Sequence, residues 1–100
     1  MKLYDLAEVI RSKNAGPFTL TLDLIFNCAA DFERVVGADS FNEDAIAQLY
    51  GTSPKKVQIH LFKRILAIKI AIPRPVSSGA PEDVDVYGSQ QHFPLALLEI

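Results

Sequence analysis

The stretch from Val57 to Ile72, VQIHLFKRILAIKIAI, constrains the fold more than any other part of the chain. In its first arm Val57, Ile59 and Leu61 share one face, and Gln58, His60 and Phe62 share the other. In its second arm Leu66, Ile68, Ile70 and Ile72 alternate with Ile65, Ala67, Lys69 and Ala71. This is the two-residue period of a strand, and the β-branched content agrees with it. The polar pair Lys63-Arg64 between the arms predicts a hairpin. Apart from Lys69 the second arm is apolar on both faces, which places it centrally in a sheet that carries a helix layer on one side.

The remaining elements follow from spacing and turn chemistry. Leu3, Leu6, Ala7 and Ile10 recur at helical spacing, with Asp5 and Glu8 as a capping pair, so a short helix is expected before Arg11. Arg11 to Pro17, RSKNAGP, is rich in turn formers and reads as a loop. Phe18 to Phe26 is an alternating strand with Phe18, Leu20, Leu22, Leu24 and Phe26 on its core face. A helix is expected next, capped by Asn27, with Phe32, Val35 and Val36 as its apolar stripe and Gly37 in a left-handed closing position. A further helix opens on the S-x-x-E box Ser40 to Glu43, buries Phe41, Ala45, Ile46 and Leu49, and ends at Gly51. Thr52-Ser53-Pro54 is a turn, and Lys55 with Lys56 reads as a solvated lead into the hairpin. Pro73-Arg74-Pro75 ends the second arm, because closely spaced prolines cannot continue a central strand. A long loop then runs to Pro94, and Leu95, Leu97, Leu98 and Ile100 read as a closing strand.

The expected order is therefore helix, strand, two helices, hairpin, long loop and final strand. This predicts an α+β domain with a mixed or antiparallel sheet and its helices on one face. One hundred residues suffice for one domain. Net charge is −2 and the ten basic residues are scattered along the sequence, so nucleic acid is not an expected partner. No apolar run approaches the roughly 20 residues that cross a bilayer. Asp5 and Glu8 interrupt the N-terminal segment where a signal peptide would be apolar, so a cytoplasmic, membrane-free protein is expected. Cys28 is the one cysteine, which excludes an internal disulfide and suits a reducing compartment. It is expected as a small buried residue, with a thiol activated at a helix start as the other reading. His60, His92 and Cys28 lack ligand spacing, so neither a metal nor a cofactor is expected. His60 reads as a flanking sheet residue.

Three polar stretches are candidate sites. In the first, Arg11, Ser12, Lys13, Asn14 and the backbone near Gly16 suit a carboxylate or phosphate, although the G-x-x-x-x-G-K-[ST] spacing of a nucleotide loop is missing. In the second, prolines hold Arg74 beside Ser77 and Ser78, which suits a fixed anion or a rigid turn paired with Glu82, Asp83 or Asp85. In the third, Tyr87, Gln90, Gln91 and His92 are able to orient a substrate and move a proton, or else to satisfy the backbone of an ordered loop.

The segments LYDLAEVIRSKNAGPF, AIKIAIPRPVSSG and DVYGSQQH together resemble a small bacterial family of unknown function. Its members accompany proteins similar to AtuA, the acyclic-terpene-utilisation protein. AtuA-like proteins carry a small domain described as ferredoxin-fold, and the resemblance implies a ferredoxin-like sandwich and an AtuA-like partner. No catalytic residue is carried over, because the family defines none. Two functions are consistent with these observations. One is a non-catalytic accessory subunit that presents polar loops to an AtuA-like protein's interface or active-site rim. The other is a small enzyme or ligand-binding module for an organic acid or acyl-CoA, with Arg11, Lys13 and Arg74 on the anion and His92 as proton carrier. A homo-oligomer formed through sheet edges is a third arrangement.

Overall fold

A computed structural model of the chain describes residues 1–16, 18–73 and 93–100. A one-turn helix α1 (Leu3–Leu6) leads into a hairpin of β1 (Val9–Asn14) and β2 (Thr19–Ile25). Two helices follow, α2 (Ala29–Val36) and α3 (Glu43–Tyr50). A second hairpin, β3 (Gln58–Phe62) and β4 (Ala67–Pro73), comes next, and α4 (Phe93–Ala96) precedes the last residues. The four strands form one antiparallel sheet in the order β1-β2-β4-β3, so β4 is central as its apolar faces require.

Register fixes which side chains share a face. Leu20 lies opposite Ile72, Leu22 opposite Ile70 and Leu24 opposite Ile68. All six side chains are buried, in one core with Leu3, Phe32, Val35, Ile46 and Leu95 from the helices. Truncating a residue such as Leu22 to Ala would cost about 2–5 kcal/mol. The helices thus cover one face of the sheet, and the opposite face carries no helix among the described residues.

Several expectations are corrected. Arg11 to Asn14 is strand, not loop: Arg11 pairs with Asp23, Lys13 with Thr21 and Asn14 with Leu20. Ser, Lys and Asn are poor strand formers, but pairing with β2 outweighs local preference, and a polar edge strand protects against edge pairing. Ile10 therefore belongs to β1, and the initial helix stops at Leu6. Its cap is formed by Asp5, whose carboxylate accepts from the Lys2 amide at 3.1 Å. The closing strand is also replaced: Leu95 is buried within α4, Leu97 is exposed, and only Glu99 bridges to Lys2. The Ile100 amide donates to the Met1 carbonyl at 2.8 Å, which clasps this end against the start of the chain. The described order, hairpin, helix pair, hairpin, differs from the β-α-β-β-α-β order of a ferredoxin-like sandwich.

Smaller corrections concern caps and boundaries. Cys28 occupies the N-cap of α2 and is exposed, because the core-facing stripe of that helix begins only at Phe32. Gly37 ends α2 with φ −87°, in the right-handed region. Asn42 caps α3, its Oδ1 accepting from the Ala45 amide at 2.8 Å, whereas the Ser40 hydroxyl donates to the Glu99 carbonyl at 2.7 Å. Gly51 closes α3 with φ 65°, as its position predicts. Ile46 and Ala47 form the buried stripe of α3, leaving Leu49 partly exposed, and Phe18 lies outside the core because β2 starts at Thr19. Tyr50 joins α3 to α4: its hydroxyl accepts from the Leu95 amide at 3.3 Å. Burial pushes the Tyr50 phenol above its ordinary ionisation range, and the bond from Leu95 partly offsets this.

Candidate ligand-binding face

The helix-free face is built by alternation. In β1, Ser12 and Asn14 share the register rows of Leu22 and Leu20 and so lie on the covered side, with Ser12 buried. Arg11 and Lys13 consequently lie on the open side. Following the register across the sheet gives three rows. One row is Val9, Ile25, Ala67 and Phe62; the next is Arg11, Asp23, Lys69 and His60; the third is Lys13, Thr21, Ala71 and Gln58. Charge is thus concentrated in the middle of the face, with hydrocarbon at one end.

The charged row has one carboxylate. Arg11 Nε lies 3.4 Å from Asp23 Oδ2; the arginine side chain is 61% exposed and the aspartate 16%. Such a pair contributes on the order of 0–1 kcal/mol. Among the described residues neither Lys13 nor Lys69 forms an ion pair, and Lys69 is half-buried at the centre of the sheet. The Thr21 hydroxyl is buried and donates to the Lys13 carbonyl at 3.3 Å, which ties the edge strand to its neighbour. A hollow of about 460 Å³ lies over this region, with Arg11, Lys13 and Lys69 to one side and Ile25, Phe62 and Ile65 to the other. A second, of about 440 Å³, lies toward the opposite end, beside Phe18, Lys56 and Gln58.

Of the predicted site residues, the structure brings Arg11 and Lys13 together on this face and turns Asn14 away from it. Arg74, Ser77, Ser78, Tyr87, Gln90, Gln91 and His92 lie outside the described residues. His60 is exposed on edge strand β3, a flanking residue at the end of the charged row. Lys69, Phe62 and Ile65 join the site although none was singled out as a site residue. The available signal was Lys69 itself, the one polar residue in an otherwise apolar central strand. Among the described residues no cluster of His, Cys, Asp or Glu is arranged to hold a metal ion. What the face provides is cations, one carboxylate and hydrocarbon, a set suited to holding an organic anion.

Residues 3–99 match the family described as a domain of unknown function, DUF4387. The chain belongs to this family. No curated protein and no solved structure gives a match to this DUF4387 chain. No helix among the described residues is long and apolar enough to cross a membrane.

Proposed function

We propose that this DUF4387 domain is a non-catalytic accessory subunit that docks, in the cytoplasm, on a larger AtuA-like protein. The observation that carries this reading is the tip of the β3–β4 hairpin. Leu61, Phe62 and Ile65 are large apolar residues that flank the Lys63-Arg64 pair at one turn, Phe62 and Ile65 bordering the open face and Leu61 on the other side of β3, and they are 51%, 47% and 68% exposed. Scattered apolar residues on a surface need no explanation, but a cluster at the end of an edge strand is the kind of patch that marks an interface. The turn is held in place: Leu66 takes a left-handed conformation at φ 52°, its carbonyl accepts from the Phe26 amide at 2.9 Å, and Lys63 pairs with Glu33 at 3.4 Å. A tip held in this way loses little entropy on binding. The resemblance of the three sequence segments to the AtuA-associated family supports the choice of partner.

Mixing the purified chain with an AtuA-like protein at micromolar concentration tests this. Co-elution is expected, and the exposed substitutions Leu61→Ser and Ile65→Ser should weaken it at least about tenfold, as for loss of an interface anchor. Separate elution of the wild-type proteins would end the proposal.

A further inference from the structure

We infer that the hollow at the Phe62 end of the open sheet face binds a small amphiphilic carboxylate, its anionic head against Lys69 and Lys13 and its hydrocarbon over Ile25, Phe62 and Ile65. The inference goes beyond the docking reading, and it is tested on the chain alone, so either can fail without the other.

Charge is the first support. Arg11 is already engaged by Asp23, whereas the ammonium groups of Lys13 and Lys69 form no ion pair among the described residues. Lys69 is half-buried opposite Asp23, but that carboxylate pairs with Arg11, so part of the lysine's hydration is lost with only partial compensation by charge. An anion placed there gains Coulomb energy that a fully exposed lysine would not provide. The residual charge of the row and its neighbour is positive, with Arg11, Lys13 and Lys69 against Asp23.

Geometry selects the kind of anion. The strand backbone spends its amides on the sheet ladder, so among the described residues the strands of this face offer no nest of N–H groups of the sort that holds a phosphate. The Lys69 ammonium instead offers a compact charge to a carboxylate, with Lys13 on β1 as a second cation lining the same hollow. The apolar row Val9, Ile25, Ala67 and Phe62 is two residues along the strands from the charged row, about 7 Å away. That separation places a short alkyl body on hydrocarbon while its head stays on the cations. The volume of about 460 Å³ lies in the range of small-molecule sites. Single-stranded nucleic acid fits less well, because the central positions Thr21, Ala67 and Ala71 offer no aromatic surface for bases to stack on.

The probe is octanoate, titrated into the full chain while backbone amide NMR signals are followed. Saturable shifts are expected at Ile25, Phe62, Ile65 and Lys69, with a dissociation constant on the order of 1 mM or tighter. Acetate lacks the body and octanol lacks the charge, so each should bind at least about tenfold more weakly. Lys69→Gln should weaken octanoate about tenfold and Lys69→Arg should restore it. Lys13→Gln, at an exposed edge position, gives a second reading if the central substitution disturbs folding. Octanol or octylammonium binding as well as octanoate would overturn the inference. So would inorganic phosphate shifting the same signals more strongly, the absence of saturable shifts, or shifts confined to another surface.

Discussion

Tyr50 shows how much one side chain contributes in a chain of this size. Its hydroxyl supplies an acceptor to the Leu95 amide in the first turn of α4, where a helix cannot satisfy its own donors. Tyr50→Phe keeps the ring and removes the acceptor, so it should cost about 1 kcal/mol in urea unfolding at neutral pH. The same residue carries a pH signature. Its folded phenol is held neutral beyond its ordinary value of 10.0, while the unfolded phenol ionises there. Its contribution is therefore complete below about pH 10 and is lost as pH rises further, since the unfolded chain then binds fewer protons. The wild type should lose stability above that pH more steeply than Tyr50→Phe, and equal slopes would show that Tyr50 is not buried as described. At this scale the sequence was readable where one residue type has one use, as at Gly51. It was misleading where several are possible: Cys28 is a frequent core residue, yet it stands exposed at a cap because the helical stripe begins four residues later.

Among the elements, the two hairpins differ in what made them legible. The β3–β4 hairpin declares itself through hydrophobic alternation. The β1 strand does not, because four of its six residues, Arg11 to Asn14, are polar, and because the Ser, Asn, Gly and Pro around it favour turns. What makes it a strand is β2, whose ladder partners are distant in a local reading. The turn that joins them needs Gly16, at φ 100°, and the Ala15 amide closes it on the Thr19 carbonyl at 2.9 Å. Nothing lies within 4 Å of a Cβ added at Gly16, so the cost of Gly16→Ala is torsional alone. That cost should be about 1–2 kcal/mol, read as a lower denaturation midpoint, with amide exchange in β1 accelerated first. An unchanged midpoint would mean that the turn is not fixed in the left-handed region. The chain's last stretch hides its helix for a related reason. Alternating leucines suit a strand, but Pro94 suits the first turn of a helix, and the Tyr50 hydroxyl rewards that choice.

For the molecule as a whole, the sheet reorganises charge that looks evenly spread in the sequence. Of ten basic residues, Arg11, Lys13, Lys56 and Lys69 come together on or beside the open face, where Asp23 is the one acid in the strands. The helical layer holds Asp31, Glu33, Asp39, Glu43 and Asp44, with Arg34 as the basic residue of its two longer helices. No linear reading brings Lys13, Lys56 and Lys69 together, because the register that does so belongs to the folded sheet. Among the described residues this separation makes two electrical sides. A protein with net charge −2 and an isoelectric point near 5.6 would ordinarily pass through a cation exchanger at pH 7. This one should be retained at low ionic strength and released once the Debye length falls to about 10 Å near 0.1 M salt. The double substitution Lys13→Gln with Lys69→Gln should abolish that retention. An approaching surface therefore meets an anion or a cation according to the side that faces it, and the average charge predicts neither encounter.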